Sequence, residues 1–206
     1  MVKSLNASDL SPSRLQLNNL IDQYKKGQYR EAEKLALRLT KQFPTHQFSW
    51  KVLGELSGRT GRKFKALNFK KRAVLLAPRD AEARNNLGIT LKELGRLRES
   101  ETSYRQAILL EPNYTEAHYN LANILKQLGS LGKAEKSYRQ AITLKSNFAE
   151  AHNNLGATLQ KLDRLTEAEE SYRQAITLKP DYAEAYNNLG ATLQELNRFT
   201  EAEASY

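Results

Sequence analysis

Apolar side chains recur at steps of three and four residues in two neighbouring stretches of the segment 149–182, with polar residues between them. This spacing places the apolar residues of each stretch on one face of an α-helix. The chain shows no sustained alternation with period two, so the pattern predicts a helix–turn–helix pair and no β-strand. The first stripe comprises Ala151, Leu155, Thr158, Leu159 and Leu162, and the second comprises Leu165, Ala168, Tyr172, Ala175 and Ile176.

The same pattern returns every 34 residues along the chain. Residues 149–172 recur as residues 183–206 with 19 of 24 positions identical, and weaker copies precede them. Since one helix pair cannot bury its apolar faces alone, the copies are expected to stack into a continuous core. The predicted repeats are 13–46, 47–80, 81–114, 115–148, 149–182 and the truncated 183–206.

Turn-forming residues separate the two helices of a repeat and end each repeat. A glycine recurs after the first helix, where its positive φ ends a helix at no steric cost, and Asp163 replaces it in the fifth repeat. A proline recurs after the second helix, which it prevents from continuing. The glycines are Gly27, Gly61, Gly95 and Gly129, and the prolines are Pro44, Pro78, Pro112 and Pro180, with Ser146 in the fourth repeat.

A 34-residue helix pair with Leu-Gly in its first helix, Ala and Tyr in its second and a final Pro resembles the tetratricopeptide repeat (TPR). The resemblance implies an all-α, right-handed α-solenoid whose first helices line a concave groove that holds an extended segment of another protein. The repeats are also similar to those of O-linked N-acetylglucosamine transferase-type proteins, in which a row of asparagines grips peptide backbones. The fifth repeat carries the whole motif: Leu155, Gly156, Ala168, Tyr172, Ala175 and Pro180.

One position of the first helix is asparagine in four successive repeats. An asparagine side chain carries a donor and an acceptor, which suits bonding to the backbone amides of a peptide of any sequence. The alternative is that these asparagines bond to the backbone of a neighbouring helix and belong to the scaffold of the repeat. The four are Asn86, Asn120, Asn154 and Asn188, and the other candidates for the groove are Asn85, Tyr119, Asn123, Asn153, Asn187, Lys92 and Lys126.

Two further recurrent positions are interpreted as structural. His118 and His152 share one position with Trp50, Arg84 and Tyr186, and a site that accepts such different side chains is expected to serve packing. Helices packed about 8–10 Å apart also make it awkward for two such histidines to ligate one metal ion. The second recurrent position is a tyrosine of the second helix, which is predicted to lie in the core: Tyr104, Tyr138, Tyr172 and Tyr206.

The formal net charge of +9 comes from the first part of the chain, because residues 1–80 hold 17 Lys and Arg against 6 Asp and Glu. Seven of these cations lie between residues 59 and 72. Such a cluster can bind nucleic acid or an anionic membrane, or it can be a solvated or protein-docking surface. Helical spacing spreads the charges over more than one face, which favours the second interpretation. The cluster comprises Arg59, Arg62, Lys63, Lys65, Lys70, Lys71 and Arg72.

The sequence offers no chemistry of its own. It has no cysteine and three histidines, and it lacks a phosphate loop, a dinucleotide fingerprint, a nucleophile elbow and a metal motif. We therefore expect no enzymatic activity, no cofactor and no metal. No secretory signal and no apolar run of membrane-spanning length is present, which predicts a cytoplasmic protein.

The two ends of the sequence carry separate expectations. Residues 1–12 are expected to form a flexible leader. The sixth repeat stops in its second helix without a polar cap, so we expect the chain to belong to a longer array or to an array fused to a catalytic domain. The leading hypothesis is a non-catalytic interaction scaffold. The alternatives are the substrate-recruiting part of a glycosyltransferase or sulfotransferase and, less favoured, a basic nucleic-acid-binding solenoid. If the array does end here, its uncapped end is expected to associate with a second copy or to fray.

Overall fold

A computed structural model of the protein describes residues 11–205, so the predicted leader lies outside the described residues except for its last two positions. Within that range the chain forms twelve α-helices and no β-strand, which confirms the all-α prediction. No helix of the range is long and apolar enough to cross a membrane. The helices are α1 Arg14–Lys25, α2 Tyr29–Gln42, α3 Gln47–Arg59, α4 Lys63–Leu76, α5 Ala81–Glu93, α6 Leu97–Leu110, α7 Thr115–Gln127, α8 Leu131–Leu144, α9 Ala149–Gln160, α10 Leu165–Leu178, α11 Ala183–Glu195 and α12 Phe199–Glu203.

The chain divides into two compact units, Met1–Ser103 and Tyr104–Tyr206. In the first unit each helix from α1 to α5 packs against the next along the chain. In the second unit the helices from α7 to α12 do the same, and α9 also contacts both α7 and α11. Each unit is therefore a stack of helix pairs, as the 34-residue repeat predicts.

The turn after the first helix of a repeat passes through the left-handed region of backbone conformation. Gly95 and Gly129 have φ of +72° and +74°, so the predicted role of these glycines is confirmed. Asp163 and Asn197 occupy the same turn with φ of +59°. Aspartate and asparagine are the side-chain-bearing residues that visit this region most readily, so the turn keeps its shape without glycine.

Replacing Gly129 by alanine is expected to lower the free energy of unfolding by about 1–2 kcal/mol, because alanine is strained at this positive φ. No atom lies within 4 Å of the added Cβ, so the whole effect comes from the backbone. Gly132 supplies a matched control, since its added Cβ also meets no neighbour but the residue lies inside α8. We expect Gly132→Ala to raise the free energy of unfolding by roughly 0.5 kcal/mol. Urea denaturation compares the two variants, and equal effects would contradict the assigned role of the turn.

The recurrent tyrosine of the second helix lies in the core. Tyr138 and Tyr172 are fully buried, as is Tyr104, which confirms a packing role at these three positions. The ring of Tyr172 crosses Gly156 so closely that a Cβ there would lie 2.7 Å from Tyr172 Cε1. The small residue in the first helix therefore exists to admit the large one in the second.

Salt bridges join the second helices of successive repeats in the second unit. Arg164 precedes α10 and contacts Glu135 of α8 at 2.8 Å and Glu167 of its own helix at 2.6 Å. Arg198 repeats the arrangement, with Glu169 of α10 and Glu201 of α12 both at 2.6 Å. Because these pairs are partly exposed, solvent screening keeps their individual contributions to stability small, while they link each second helix to the preceding one.

Candidate functional site

Asn154 of α9 is surrounded by polar side chains of α7. Its Nδ2 donates to Tyr119 Oη at 2.9 Å and lies 3.4 Å from Asn123 Oδ1. Its Oδ1 accepts from Lys126 Nζ at 3.1 Å. Tyr119, Asn123 and Lys126 follow the spacing i, i+4, i+7, so one stripe of α7 faces this asparagine.

A related arrangement joins α9 to α11 one repeat later. Asn188 Nδ2 donates to Asn153 Oδ1 at 3.0 Å, and Asn153 Nδ2 donates to Glu184 Oε1 at 3.1 Å. Glu184 and Asn188 lie one turn apart on α11, and both form hydrogen bonds with the side-chain amide of Asn153 in α9. The two groups meet at the adjacent residues Asn153 and Asn154 of α9 and are together called the asparagine network, which comprises Tyr119, Asn123, Lys126, Asn153, Asn154, Glu184 and Asn188.

The hydrogen-bond partners of Asn154 and Asn188 are side chains, whereas the scaffold alternative assigns them the backbone of a neighbouring helix. These side chains belong to the preceding repeat. The main-chain carbonyl oxygens of Asn154 and Asn188 accept hydrogen bonds from the hydroxyls of Thr158 and Thr192, each one turn further along the same helix. The amides are thus held in place by repeat-to-repeat contacts while their side chains stay half-buried.

The network contains one weakly paired cation. Burial and the nearby Lys161 lower the pKa of Lys126, and Glu184 offsets this only in part. The Nζ of Lys126 also lies 6.0 Å from the centre of the Tyr138 ring. Burial raises the pKa of Tyr138, whose neutral hydroxyl donates to Asn123 Oδ1 at 2.6 Å. A lysine that is partly desolvated and bonded to an amide is one that an incoming polar group can displace or pair with.

The remaining candidates of the second unit lie at different depths. Asn153 is only 1% exposed, so in this structure its role is to accept the hydrogen bond of Asn188 rather than to contact a ligand. Asn120 is half-buried. Asn187 is exposed beside Pro180 and Tyr186, and within residues 11–205 it does not belong to the asparagine network.

The candidates of the first unit lie on α5. Asn85 is 4% exposed and is therefore a buried support rather than an open contact in this structure. Asn86 is half-buried, with its Nδ2 3.5 Å from Glu82 Oε1, and Lys92 is exposed.

The position shared by the histidines has a common function that the sequence alone did not reveal. The side chain there bonds to the carbonyl oxygen six residues earlier, just before the first helix begins. His118 Nε2 lies 2.8 Å from Pro112 O, and Trp50 Nε1 donates to Pro44 O at 3.1 Å. The corresponding bonds are Arg84 Nε to Pro78 O at 3.1 Å and His152 Nε2 to Ser146 O at 3.3 Å. A suitably placed side-chain N–H can make this bond, which explains how Trp, Arg and His share the position.

The basic cluster of residues 59–72 is not one open patch. Lys70 is only 8% exposed, and its Nζ lies 3.7 Å from Glu55. Arg62 binds Glu33 through two hydrogen bonds of 2.7 and 2.9 Å. Arg59 donates to Tyr29 Oη at 3.0 Å. The remaining exposed lysines of α4 are Lys63, Lys65 and Lys71, which helical spacing distributes around the helix, and this disfavours one nucleic-acid-binding patch.

Comparison with known proteins identifies the repeat. A model of the TPR repeat matches residues 90–129, 122–163 and 161–197, which together span more than half of the chain. The comparison with curated proteins gave no significant match. The narrower resemblance to O-linked N-acetylglucosamine transferase-type repeats stays a prediction.

Solved structures share the fold. The crystal structure of the MamA protein is 22% identical with a TM-score of 0.73, over 77% of this chain and 87% of that one. YrrB, described as a TPR protein with an unusual peptide-binding site, is 19% identical with a TM-score of 0.72, over 82% of this chain and 88% of that one. PilW, a widely conserved type IV pilus biogenesis factor, is 20% identical with a TM-score of 0.80, over 94% of this chain and 91% of that one.

Proposed function

The chain belongs to the TPR repeat family, and from this premise we propose that it is a non-catalytic interaction scaffold whose second unit binds an extended segment of another protein. The proposed contact surface is the face of α7, α9 and α11 that carries the asparagine network. The observation that carries the proposal is the set of half-buried amides, Asn154 and Asn188, held in fixed orientation by the preceding repeat.

The chemistry of these amides suits a polypeptide backbone. In each amide the nitrogen donates to the preceding repeat, and the oxygen is the group that we assign to a peptide N–H. The Oδ1 of Asn188 accepts no hydrogen bond from residues 11–205, so it can receive a peptide N–H directly. At Asn154 the peptide replaces Lys126, whose flexible side chain can turn to a carboxylate of the ligand instead. The fixed orientation reduces the entropy lost on binding.

Other observations agree with a protein ligand. The structural neighbour YrrB has a peptide-binding site, and the proposal assigns the same class of ligand to this chain. A nucleic-acid ligand is less favoured, because the ion pairs and burial at Arg62 and Lys70 remove charge from the basic cluster. A substrate-recruiting role in a larger enzyme would use the same peptide surface.

A peptide array tests the proposal. We expect the wild-type protein to bind many extended peptides with little dependence on sequence. The triple variant Asn120→Ala, Asn154→Ala, Asn188→Ala should bind at least tenfold more weakly, since each lost amide contact is worth about 1 kcal/mol.

The control variant carries Gln140→Ala and Gln174→Ala, two exposed amides of the second helices. It should bind like the wild type, and circular dichroism melts should show that both variants fold. Undiminished binding by a folded triple variant, or no peptide binding by the wild type, would refute the proposed surface.

A further inference from the structure

The second repeat departs from the others at the core position of its second helix. Residues 104, 138 and 172 are fully buried tyrosines, whereas the corresponding residue of α4 is Lys70. The stem of Lys70 packs on Gly54 of α3, and a Cβ at Gly54 would lie 2.6 Å from Lys70 Cγ. The lysine stem thus crosses Gly54 as the ring of Tyr172 crosses Gly156. Because the stem is narrower than an aromatic ring, it leaves space on either side.

A second replacement removes side-chain volume from the other helix of the repeat, α3. Gly58 of α3 stands where other repeats have a long polar side chain, such as Lys126 or Gln160. Those side chains lie over the core tyrosine: Gln160 Oε1 accepts from Tyr172 Oη at 3.2 Å. At Gly58 no atom lies within 4 Å of an added Cβ.

An open cavity of about 530 Å³ borders Lys70 in the first unit. Most of its lining is apolar, and the volume lies in the range of about 300–1,000 Å³ that is usual for ligand sites. It can receive a large side chain together with part of the peptide that carries it. Its apolar lining residues include Ile21, Tyr24, Phe48 and Val52.

The lining of this Lys70 cavity carries three lysines, Lys25, Lys51 and Lys70, against two glutamates, Glu55 and Glu82. Lys51 is held by Asp80 at 3.2 Å and by Glu82 at 2.7 Å. Lys70 contacts Glu55 only at 3.7 Å. Lys25 is exposed at the rim and forms no ion pair with residues 11–205. With 17 cations against 6 anions in residues 1–80, the surroundings favour a ligand with negative charge beside its apolar group.

We propose that the Lys70 cavity is a specificity pocket for a peptide in which a bulky apolar side chain stands next to an acidic residue. The apolar side chain enters between Tyr24, Phe48 and Val52, and the carboxylate meets Lys25 at the rim. All lining residues belong to the first unit, so the pocket is independent of the asparagine network. It selects sequence, whereas the network binds any extended backbone.

Fluorescence polarisation with labelled decapeptides tests the pocket. The peptides share one sequence and differ at a central position (Phe, Leu or Ala) and in its neighbours (Asp or Lys). We expect the Phe and Leu peptides with Asp neighbours to bind at least tenfold more tightly than the Ala peptide or the Lys-flanked peptide. Equal binding of the Phe and Ala peptides would overturn the proposal, and so would binding of an apolar dye with no peptide binding.

Two variants and one control locate the binding. Lys70→Tyr restores the residue that packs on a glycine in other repeats, so it should fold, narrow the pocket and weaken binding of the Phe peptide at least tenfold. Lys71→Tyr, the same change at the exposed neighbour, should leave binding unchanged. Lys25→Glu does not touch the core and should reverse the preference between Asp and Lys neighbours.

The outcomes separate this pocket from the asparagine network. The triple asparagine variant should keep the preference for Phe over Ala, whatever happens to its overall affinity. Unchanged binding by folded Lys70→Tyr, or an unchanged charge preference in Lys25→Glu, would exclude the pocket without bearing on the network.

Discussion

Replacing Tyr172 by alanine is expected to lower the free energy of unfolding by about 3–5 kcal/mol, the cost of deleting a buried aromatic side chain. Tyr172 is fully buried, and its ring lies directly over Gly156. The variant also leaves Gln160 without the hydroxyl that now donates to it. Because neighbouring repeats depend on each other's interfaces, the loss should destabilise the second unit as a whole.

Urea denaturation measures this effect, and Tyr172→Phe is its control. The control keeps the ring and loses only the hydrogen bond to Gln160, so it should cost about 0.5–1.5 kcal/mol. A loss below about 1 kcal/mol for Tyr172→Ala would mean that the ring is not a core element, contrary to its complete burial.

The second large effect is expected at Gly156. An alanine there would place its Cβ 2.7 Å from Tyr172 Cε1 and 2.9 Å from Cδ1, closer than two carbons can approach. The rigid ring has to move, so Gly156→Ala should lower the free energy of unfolding by about 1–3 kcal/mol even though alanine favours helices.

Gly58→Ala provides the matched control, because it also lies in a first helix but its added Cβ meets no atom within 4 Å. It should leave the free energy of unfolding unchanged or raise it by up to about 1 kcal/mol. A double-mutant cycle adds a sharper criterion. In a Tyr172→Ala background the clash is gone, so Gly156→Ala should cost much less than alone, and full additivity would contradict the contact.

Much of the fold follows from the sequence because the same pattern of apolar and turn-forming positions occurs in six successive repeats. The apolar stripes predict the helix pairs, and the glycine row predicts the left-handed turn that Gly95 and Gly129 adopt. The burial of Tyr138 and Tyr172 follows from the same periodicity. These features depend on spacing along one chain, which a single sequence contains in full.

The candidate site was less predictable, because it depends on contacts between repeats. Periodicity places Tyr119, Asn123 and Lys126 on one stripe, but it does not show that all three converge on Asn154. It also does not separate Asn153, which is buried, from Asn154, which is half-buried on the adjoining face. Rotamers and the packing of successive first helices decide both points.

The sequence patterns do not predict two further features of the structure, the salt bridges of Arg164 and the burial of Lys70. The Arg164 bridges reach from one repeat to the previous one, so their partners lie 29 residues apart as well as three. The sequence places Lys70 in the basic cluster, whereas the structure buries it in the position of a core tyrosine. Alignment of the repeats does reveal that replacement, and its consequence for the cavity becomes visible only with the neighbouring helices in place.

An NMR titration tests most directly whether the asparagine network binds an extended peptide. The protein is labelled with ¹⁵N, a peptide selected on the array is added, and the side-chain amide signals of the asparagines and glutamines are followed. We predict that the side-chain amide signals of Asn154 and Asn188 change in chemical shift as peptide is added. The chemical shift of the Gln140 side-chain amide, on α8, should not change. Saturating binding that leaves the Asn154 and Asn188 signals unmoved would contradict the account.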